Sequence, residues 1–179
     1  MRVITGTARG RRLNELKGSD TRPTTDRVKE GMFNIIQFDI EGRRVLDLFA
    51  GTGQLGIECL SRGARSATFV DQRSDAVRLI RENLKLTQLE ERATVLLADY
   101  AAALSAGEQY DLIFLDPPYE SKLLERSLQM ISQFDILREH GIIVCESSLE
   151  KELPALSSPY SKYREYRYGK IKITVYHRD

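Results

Sequence analysis

DLFAGTGQLGIE, residues 47–58, contains the glycine spacing from which the fold can be predicted. It places Gly51, Gly53 and Gly56 in the spacing G-x-G-x-x-G, directly after an apolar run and at the start of a helical segment. Glycines in this pattern allow a tight strand-to-helix turn and a close approach of backbone to a ligand. Because nicotinamide and flavin binders share the spacing, and a structural turn explains one or two of the glycines, the motif predicts a ligand site without naming the ligand.

Outward from this motif, the chain alternates between short apolar runs and longer segments with helical spacing. Strands separated by helices imply right-handed crossovers, so we predict a doubly wound α/β fold with a mostly parallel sheet. After Pro159, two alternating runs around Gly169 predict an antiparallel hairpin that closes the sheet edge. The seven predicted strands are 43–49, 66–71, 92–99, 110–116, 141–147, 163–168 and 170–177, and the helices are 56–64, 74–86 (with Ser74 as N-cap) and 123–134.

The residues before this pattern form a separate segment. RVITG (2–6) and RRLNEL (11–16) are candidate short strands, and an amphipathic helix is predicted over residues 27–38, capped by Thr25 or Asp26. We expect one domain over residues 1–179, with residues 1–42 as an N-terminal extension and residues 43–179 as the Rossmann-like core.

Composition excludes several classes of protein. No stretch approaches the roughly 20 apolar residues of a membrane span, and Arg2 begins a polar N-terminus, so we expect a cytoplasmic protein. Cys59 and Cys145 stand in apolar surroundings without metal-ligand spacing, which favours buried reduced thiols and no metal site.

The charges are segregated along the chain. Residues 1–29 hold eight Lys/Arg against three Asp/Glu, residues 160–179 hold six against two, and the middle holds thirteen against twenty-one. Basic termini around an acidic centre fit a polyanion bound at the edges and a cationic or hydroxyl-rich small ligand in the middle. Charge runs are more often simply solvated surface, so this pattern alone does not establish a polyanion partner.

Acidic residues end three consecutive predicted strands. Asp47 precedes the glycines, Asp71 follows them by about 20 residues where a ribose-binding acid is expected, and Asp99 ends the third strand. This acidic crevice would repel a pyrophosphate and attract a sulfonium, so S-adenosylmethionine fits better than NAD. Asp47 has two open readings: a contact to the ammonium end of the cofactor, or a cap that braces the loop.

The fourth strand ends in FLDPPYESK, residues 114–122. Prolines fix the turn and leave carbonyl oxygens free to accept hydrogen bonds. Asp116 and the carbonyl of Pro117 would hold the N–H groups of an exocyclic amine on a nucleobase, and Tyr119 would stack on the base. A rigid turn with Asp116 as a helix cap is the structural alternative.

The sequence resembles the RsmD-type bacterial methyltransferases that modify guanine N2 in small-subunit (16S) ribosomal RNA. The resemblance rests on RVITGTARGRRL (2–13), TRPTTDRVKEGMFNII (21–36), VLDLFAGTGQLGIECLSRGA (45–64) and LIFLDPPY (112–119). It implies a Rossmann-like class I methyltransferase in which S-adenosylmethionine is the methyl donor, ribosomal RNA or a subunit assembly intermediate is the partner, and the protein is a monomer. Gln54 departs from the family pattern, which usually has a small residue there.

The resemblance also implies roles for individual residues. The RPT…DR element would cover the cofactor and the target. The implied catalytic residues are Asp116, Pro117, Pro118 and Tyr119; the implied cofactor-binding residues are Asp47, Phe49, Gly51, Thr52, Gly53, Gly56, Asp71, Gln72, Asp99, Tyr100 and Asp116; and the implied RNA-binding residues are Arg9, Arg11, Arg12, Arg22, Thr24 and Arg27.

Three alternatives remain open at the level of sequence. DNA adenine-N6 methyltransferases can carry the same Asp-Pro-Pro-Tyr corner, but they generally need an additional target-recognition domain. Protein-glutamine methyltransferases usually begin the corner with Asn. An RNA-binding module with an idle cofactor fold would leave both motifs without a use. The sequence determines neither the nucleotide nor whether naked RNA or an assembled particle is the substrate.

Overall fold

The computed structural model describes residues 1–17 and 25–179, and a seven-stranded sheet organises them in the order β3-β2-β1-β4-β5-β7-β6. Strands β1 to β5 run parallel, whereas β7 is antiparallel to both β5 and β6. The strands are β1 Arg44–Asp47, β2 Ser66–Asp71, β3 Ala93–Leu97, β4 Tyr110–Leu115, β5 Leu137–Ser148, β6 Tyr160–Tyr168 and β7 Ile171–Arg178. The helices are α1 Asp26–Ile35, α2 Gln54–Ser61, α3 Ser74–Thr87, α4 Tyr100–Ser105 and α5 Leu123–Phe134.

Helices cover both faces of the sheet, as the apolar runs of its central strands require. One buried cluster joins α1, α2 and α3 to the first face and includes Phe33, Ile57 and Ile80; we call it the first core. The second core joins α4 and α5 to the other face and includes Leu104 and Leu128. The predicted doubly wound α/β fold with a C-terminal antiparallel hairpin is therefore confirmed.

Cys59 lies in the first core and Cys145 in the second, as predicted, and both thiols are free. Burial raises the pKa of both thiols, so both stay protonated. Within the described residues, no helix combines the length and apolar character that crossing a membrane requires.

Two local predictions need correction, and one helix has no counterpart among the predicted elements. Helix α4 was not predicted, because its sequence YAAALS is short and buries only Leu104, which is too little to show a helical period. Ser74 is the first residue of α3 and not its cap; Arg73 occupies the cap position in an extended conformation, and no side chain caps the helix. Helix α1 ends at Ile35, earlier than predicted, and Thr25 caps it by accepting from the backbone of Val28.

The two predicted N-terminal strands are also wrong. Residues 1–17 contain a single isolated antiparallel bridge between Arg2 and Arg12. Backbone hydrogen bonds from Val3 to Arg11 and from Leu13 to Met1 join the two runs. The backbone N–H groups of Ile4 and Thr5 donate instead to Glu58 of α2, at 2.9 and 3.0 Å, which interrupts a regular ladder.

A buried ion pair strengthens this attachment. Lys29 of α1 and Glu58 of α2 are both fully buried, and their charged atoms lie 3.1 Å apart. Lys29 also donates to the carbonyl of Arg2, and Arg62 donates to Glu58 at 2.9 Å. Buried charges are stable only when they are paired and hydrogen-bonded. This network therefore joins residues 1–17, which we call the N-terminal segment, to α1 and α2.

Candidate active site

The loop between β1 and α2 contains Gly51 and Gly53, and we call it the glycine loop. Gly53 has a left-handed backbone, with φ 81°, and caps α2 without a side chain. A Cβ atom on Gly56 would lie 2.3 Å from the ring of Phe69, so glycine is needed there for α2 to pack on β2. A Cβ on Gly51 would meet nothing within 4 Å, which leaves open space beside that backbone.

Asp47 braces this loop from below. It is 2% exposed, and its Oδ2 accepts from the backbone N–H of Gly56 at 3.1 Å. Burial raises the pKa of Asp47 to about 7; the Gly56 hydrogen bond opposes the rise, and the charge of Asp71 adds to it. The hydrogen bond from Gly56 gives Asp47 the bracing role that the sequence left open, and its contact to the ammonium end of the cofactor stays a prediction.

Asp71, at the end of β2, ties the second strand to the same loop. Its Oδ2 accepts from the backbone of Gly51 at 3.0 Å, and its Oδ1 accepts from the backbone of Arg73 at 2.9 Å. The side chain is half-exposed, and Gln72 beside it is exposed. The predicted ribose contact of Asp71 stays a prediction.

Two further predicted cofactor residues, Asp99 and Tyr100, follow the end of β3. Asp99 is exposed and caps α4, accepting from the backbone of Ala101 at 2.8 Å. The rings of Tyr100 and Phe49 lie 5.8 Å apart, centroid to centroid, and both pack against the second core. Three of the predicted cofactor residues are thus gathered by this short helix and the loop after β1.

Residues Asp116–Tyr119, which we call the proline corner, follow β4. This corner lies beside the glycine loop because β4 is the neighbour of β1. Asp47 and Phe114 are register partners, so both strands end at the same edge of the sheet. Asp116 is half-buried and Pro117 is buried, whereas Pro118 is exposed. The strand order reverses between β1 and β4, which is the position where open α/β sheets bind ligands.

Tyr119 has a partner that the sequence reading missed. Its hydroxyl donates a hydrogen bond to Oε1 of Glu146, a β5 residue that is only 3% exposed. The half-buried ring of Tyr119 packs against the first core. The signal in the sequence was a lone carboxylate inside the apolar run GIIVCESS.

The N-terminal segment reaches the glycine loop. Thr52 donates its hydroxyl to the sulfur of Met1 at 3.4 Å. Asn83 of α3 donates to the carbonyls of Thr52 and Asn14 and accepts from the backbone of Asn14. The predicted extension is therefore in contact with a predicted cofactor residue.

The structure describes four of the five predicted RNA-binding arginines, and all four lie on the surface. Arg9, Arg11 and Arg12 are exposed on the N-terminal segment, and Arg11 donates to the carbonyl of Leu86 at 3.2 Å. Arg27 is exposed at the start of α1 and lines a cavity of about 330 Å³. Val28, Tyr168 and Lys170 are among the other lining residues. Arg22 and Thr24 lie outside the described residues.

The loop fits the predicted cofactor. Backbone is accessible at Gly51, and carboxylates stand at the ends of three neighbouring strands. Gln54, the first residue of α2, is 8% exposed, and its Oε1 has no hydrogen-bond partner among the described residues. A buried polar atom without a partner at a loop of this kind suits a ligand that brings a donor.

Comparison with known proteins adds the family. The sequence model of the family described as Conserved hypothetical protein 95 matches residues 1–177. The chain belongs to this family. A Bacillus subtilis (strain 168) member, YlbH, is 42% identical over 180 residues, which cover 98% of each chain.

Further members carry a functional name. The ribosomal RNA small subunit methyltransferase D of Escherichia coli (strain K12) is 32% identical over 179 residues, covering 100% of this chain and 90% of the relative. The solved structure of Escherichia coli yhhF superposes with a TM-score of 0.89 at 33% identity, covering 100% of this chain and 98% of that one. The predicted RsmD-type family and the predicted fold class, that of S-adenosylmethionine-dependent methyltransferases, are confirmed.

Proposed function

We propose that this protein transfers a methyl group from S-adenosylmethionine to the exocyclic N2 amine of a guanine in small-subunit ribosomal RNA. The observation that carries the proposal is the position of the Asp116–Tyr119 corner, at the end of the strand next to the glycine loop. Family members named as small-subunit ribosomal RNA methyltransferases support the choice of substrate. We further propose that it acts as a cytoplasmic monomer.

The residues that would hold the cofactor come from three neighbouring strand ends. Gly51 and Gly53 let the backbone approach, Asp71 would accept from ribose hydroxyls, and Asp99 with Tyr100 would border the adenine. S-adenosylmethionine supplies an electrophilic methyl group on a sulfonium sulfur. Acidic side chains at this edge favour such a cation over a pyrophosphate.

The proline corner would prepare the nucleophile. An exocyclic amine has a lone pair delocalised into its ring, so it is a poor nucleophile while flat. Asp116 and the Pro117 carbonyl would accept its two N–H groups and favour a pyramidal nitrogen, while Tyr119 supports the base. The bound cofactor would supply the methyl group to this nitrogen, and water or Asp116 would take the proton that the methylated nitrogen releases.

The basic surface would position the RNA. Arg9, Arg11 and Arg12 stand exposed on the N-terminal segment, and phosphate contacts there would fix the RNA relative to the protein. Arg27 and Lys170 line the cavity beside α1, at the edge where β5 ends and β7 begins. Arg22 and Thr24 complete the proposed RNA-binding set.

One transfer experiment separates the candidate functions. The protein is incubated with S-adenosylmethionine labelled in its methyl group and, in separate reactions, naked ribosomal RNA, partly assembled small subunits, DNA and protein. We expect label in N2-methylguanosine from RNA or subunits. Label in DNA adenine or in protein glutamine, or no transfer to any acceptor, would refute the proposal.

A further inference from the structure

A second carboxylate lies beside the proposed catalytic corner. Leu115 of β4 and Cys145 of β5 are register partners, so Asp116 and Glu146 follow them at the same level of the sheet. Side chains alternate along β5, and Val144 belongs to the first core, so Glu146 points to the same face. Glu146 therefore stands next to the corner, below the edge where the base would bind.

Glu146 holds the far end of the Tyr119 side chain. The near end is held by the backbone after Pro117 and Pro118, whose rings restrict φ. The far end is held because the Tyr119 hydroxyl donates to the Glu146 carboxylate, a bond strengthened by the charge. With its ring also packed on the first core, Tyr119 has its orientation set before any ligand arrives.

We propose that Glu146 is a positioning residue for methyl transfer, acting through Tyr119, whose ring it holds at the angle required for stacking on the target guanine. The inference rests on the proposed function, since it gives the stacking partner a nucleobase. A prearranged ring spares the complex the entropy of ordering a side chain on binding, so the gain is in RNA affinity and turnover and not in cofactor affinity.

A carboxylate that served only the stability of the sheet would behave differently. Its loss would lower the unfolding free energy and cofactor affinity together, and the effect would not depend on whether Tyr119 has a hydroxyl. The hydroxyl is thus the means of telling the two roles apart, and a double-mutant cycle measures it.

The experiment compares Glu146→Gln, Glu146→Ala, Tyr119→Phe and the double variant Tyr119→Phe/Glu146→Ala. Each is assayed for kcat and KM with ribosomal RNA, cofactor Kd and urea unfolding. We expect Glu146→Ala and Tyr119→Phe each to lower kcat/KM by roughly tenfold or more, with cofactor Kd changed by less than about threefold. Glu146→Gln keeps an accepting oxygen and should restore most of the activity.

The double variant should be no slower than the slower single variant, because the two residues act as one unit. Glu139→Ala, on the same strand with a side chain 73% exposed, is the matched control and should equal wild type. The proposal would be overturned if Glu146→Ala kept the wild-type kcat/KM, or if the double variant lost kcat/KM by the product of the two single losses. It would also be overturned if Glu146→Ala weakened cofactor binding as much as it lowered kcat/KM.

A separate measurement does not depend on turnover. Aromatic NMR of the Tyr119 ring, assigned by its disappearance in Tyr119→Phe, should show the slowest ring flipping in wild type and the fastest in Glu146→Ala. Glu146→Gln should be intermediate, because its neutral amide oxygen accepts a weaker hydrogen bond than the carboxylate does. An unchanged flip rate would overturn the positioning role even if one variant fails to fold. If wild type transfers no methyl group to RNA while the ring flips faster in Glu146→Ala, the proposed function is wrong, but Glu146 still positions Tyr119.

Discussion

At the scale of single residues, Asp116 is the proposed acceptor for the reacting amine. It stands half-buried at the end of β4, beside the glycine loop. We predict that Asp116→Ala abolishes methyl transfer to RNA while cofactor Kd changes only a fewfold, because the variant loses an acceptor for the amine and keeps the loop. The measurement is single-turnover transfer together with cofactor titration. Near wild-type turnover would remove Asp116 from the mechanism.

Asp47 supplies a second residue-scale prediction, on pH. Its pKa rises from the ordinary value of 3.8 to about 7 on folding, chiefly through burial. The folded state therefore binds the proton more tightly, and the stability this gives is present below the unfolded pKa and lost as pH rises through about 7. Asp47→Asn cannot ionise, yet its amide oxygen can still accept from Gly56.

We expect wild type to lose unfolding free energy relative to Asp47→Asn as the pH rises. The difference between the two proteins should change by a few kcal/mol, in favour of Asp47→Asn, between about pH 5 and about pH 8. Urea unfolding of the cofactor-free protein at several pH values measures it. Parallel pH curves for the two proteins would show that Asp47 does not titrate in this range.

At the scale of elements, the N-terminal segment is held by α2. Glu58→Ala would leave Lys29 charged and buried and would remove the acceptor for Ile4 and Thr5. We predict a loss of about 3–5 kcal/mol of unfolding free energy. Asp39→Ala, which removes a partly exposed partner of Arg43 at 4.0 Å, should cost at most about 1 kcal/mol. Similar costs for the two variants would contradict the structural role of the buried pair.

The same segment provides the RNA prediction. Arg9→Ala combined with Arg12→Ala should weaken RNA binding for all sequences and reduce the slope of log K against log salt by roughly 1.5, since two phosphate contacts are lost. Arg126→Ala, an exposed arginine of α5 on the other face, is the control. An unchanged slope in the double variant would make these arginines ordinary surface charges.

At the scale of the whole molecule, cofactor choice is testable by stability. A ligand that binds only the folded state stabilises it by about 2.7 kcal/mol at 100 times its Kd. S-adenosylmethionine should therefore raise Tm in a concentration-dependent way, whereas NAD, repelled by the acidic strand ends, should not. A shift with NAD alone would reverse the reading of Asp71 and Asp99.

The elements that depend on neighbouring residues could be predicted from the sequence alone. The alternation of strands and helices, the glycine loop at Gly51–Gly56 and the proline corner at Asp116–Tyr119 are local patterns, because periodicity and backbone restriction act over a few residues. The hairpin around Gly169 is local in the same sense. Short features such as α4 escaped because six residues with one buried side chain carry no period.

Only the tertiary structure decided which distant residues meet. The side-by-side position of β1 and β4, the capture of Ile4 and Thr5 by Glu58, and the bond from Tyr119 to Glu146 join residues far apart in the chain. A lone Glu in an apolar run has no local pattern that names its partner. A buried carboxylate is costly unless it accepts a hydrogen bond, and the packing of the sheet determines which donor is close enough to supply one.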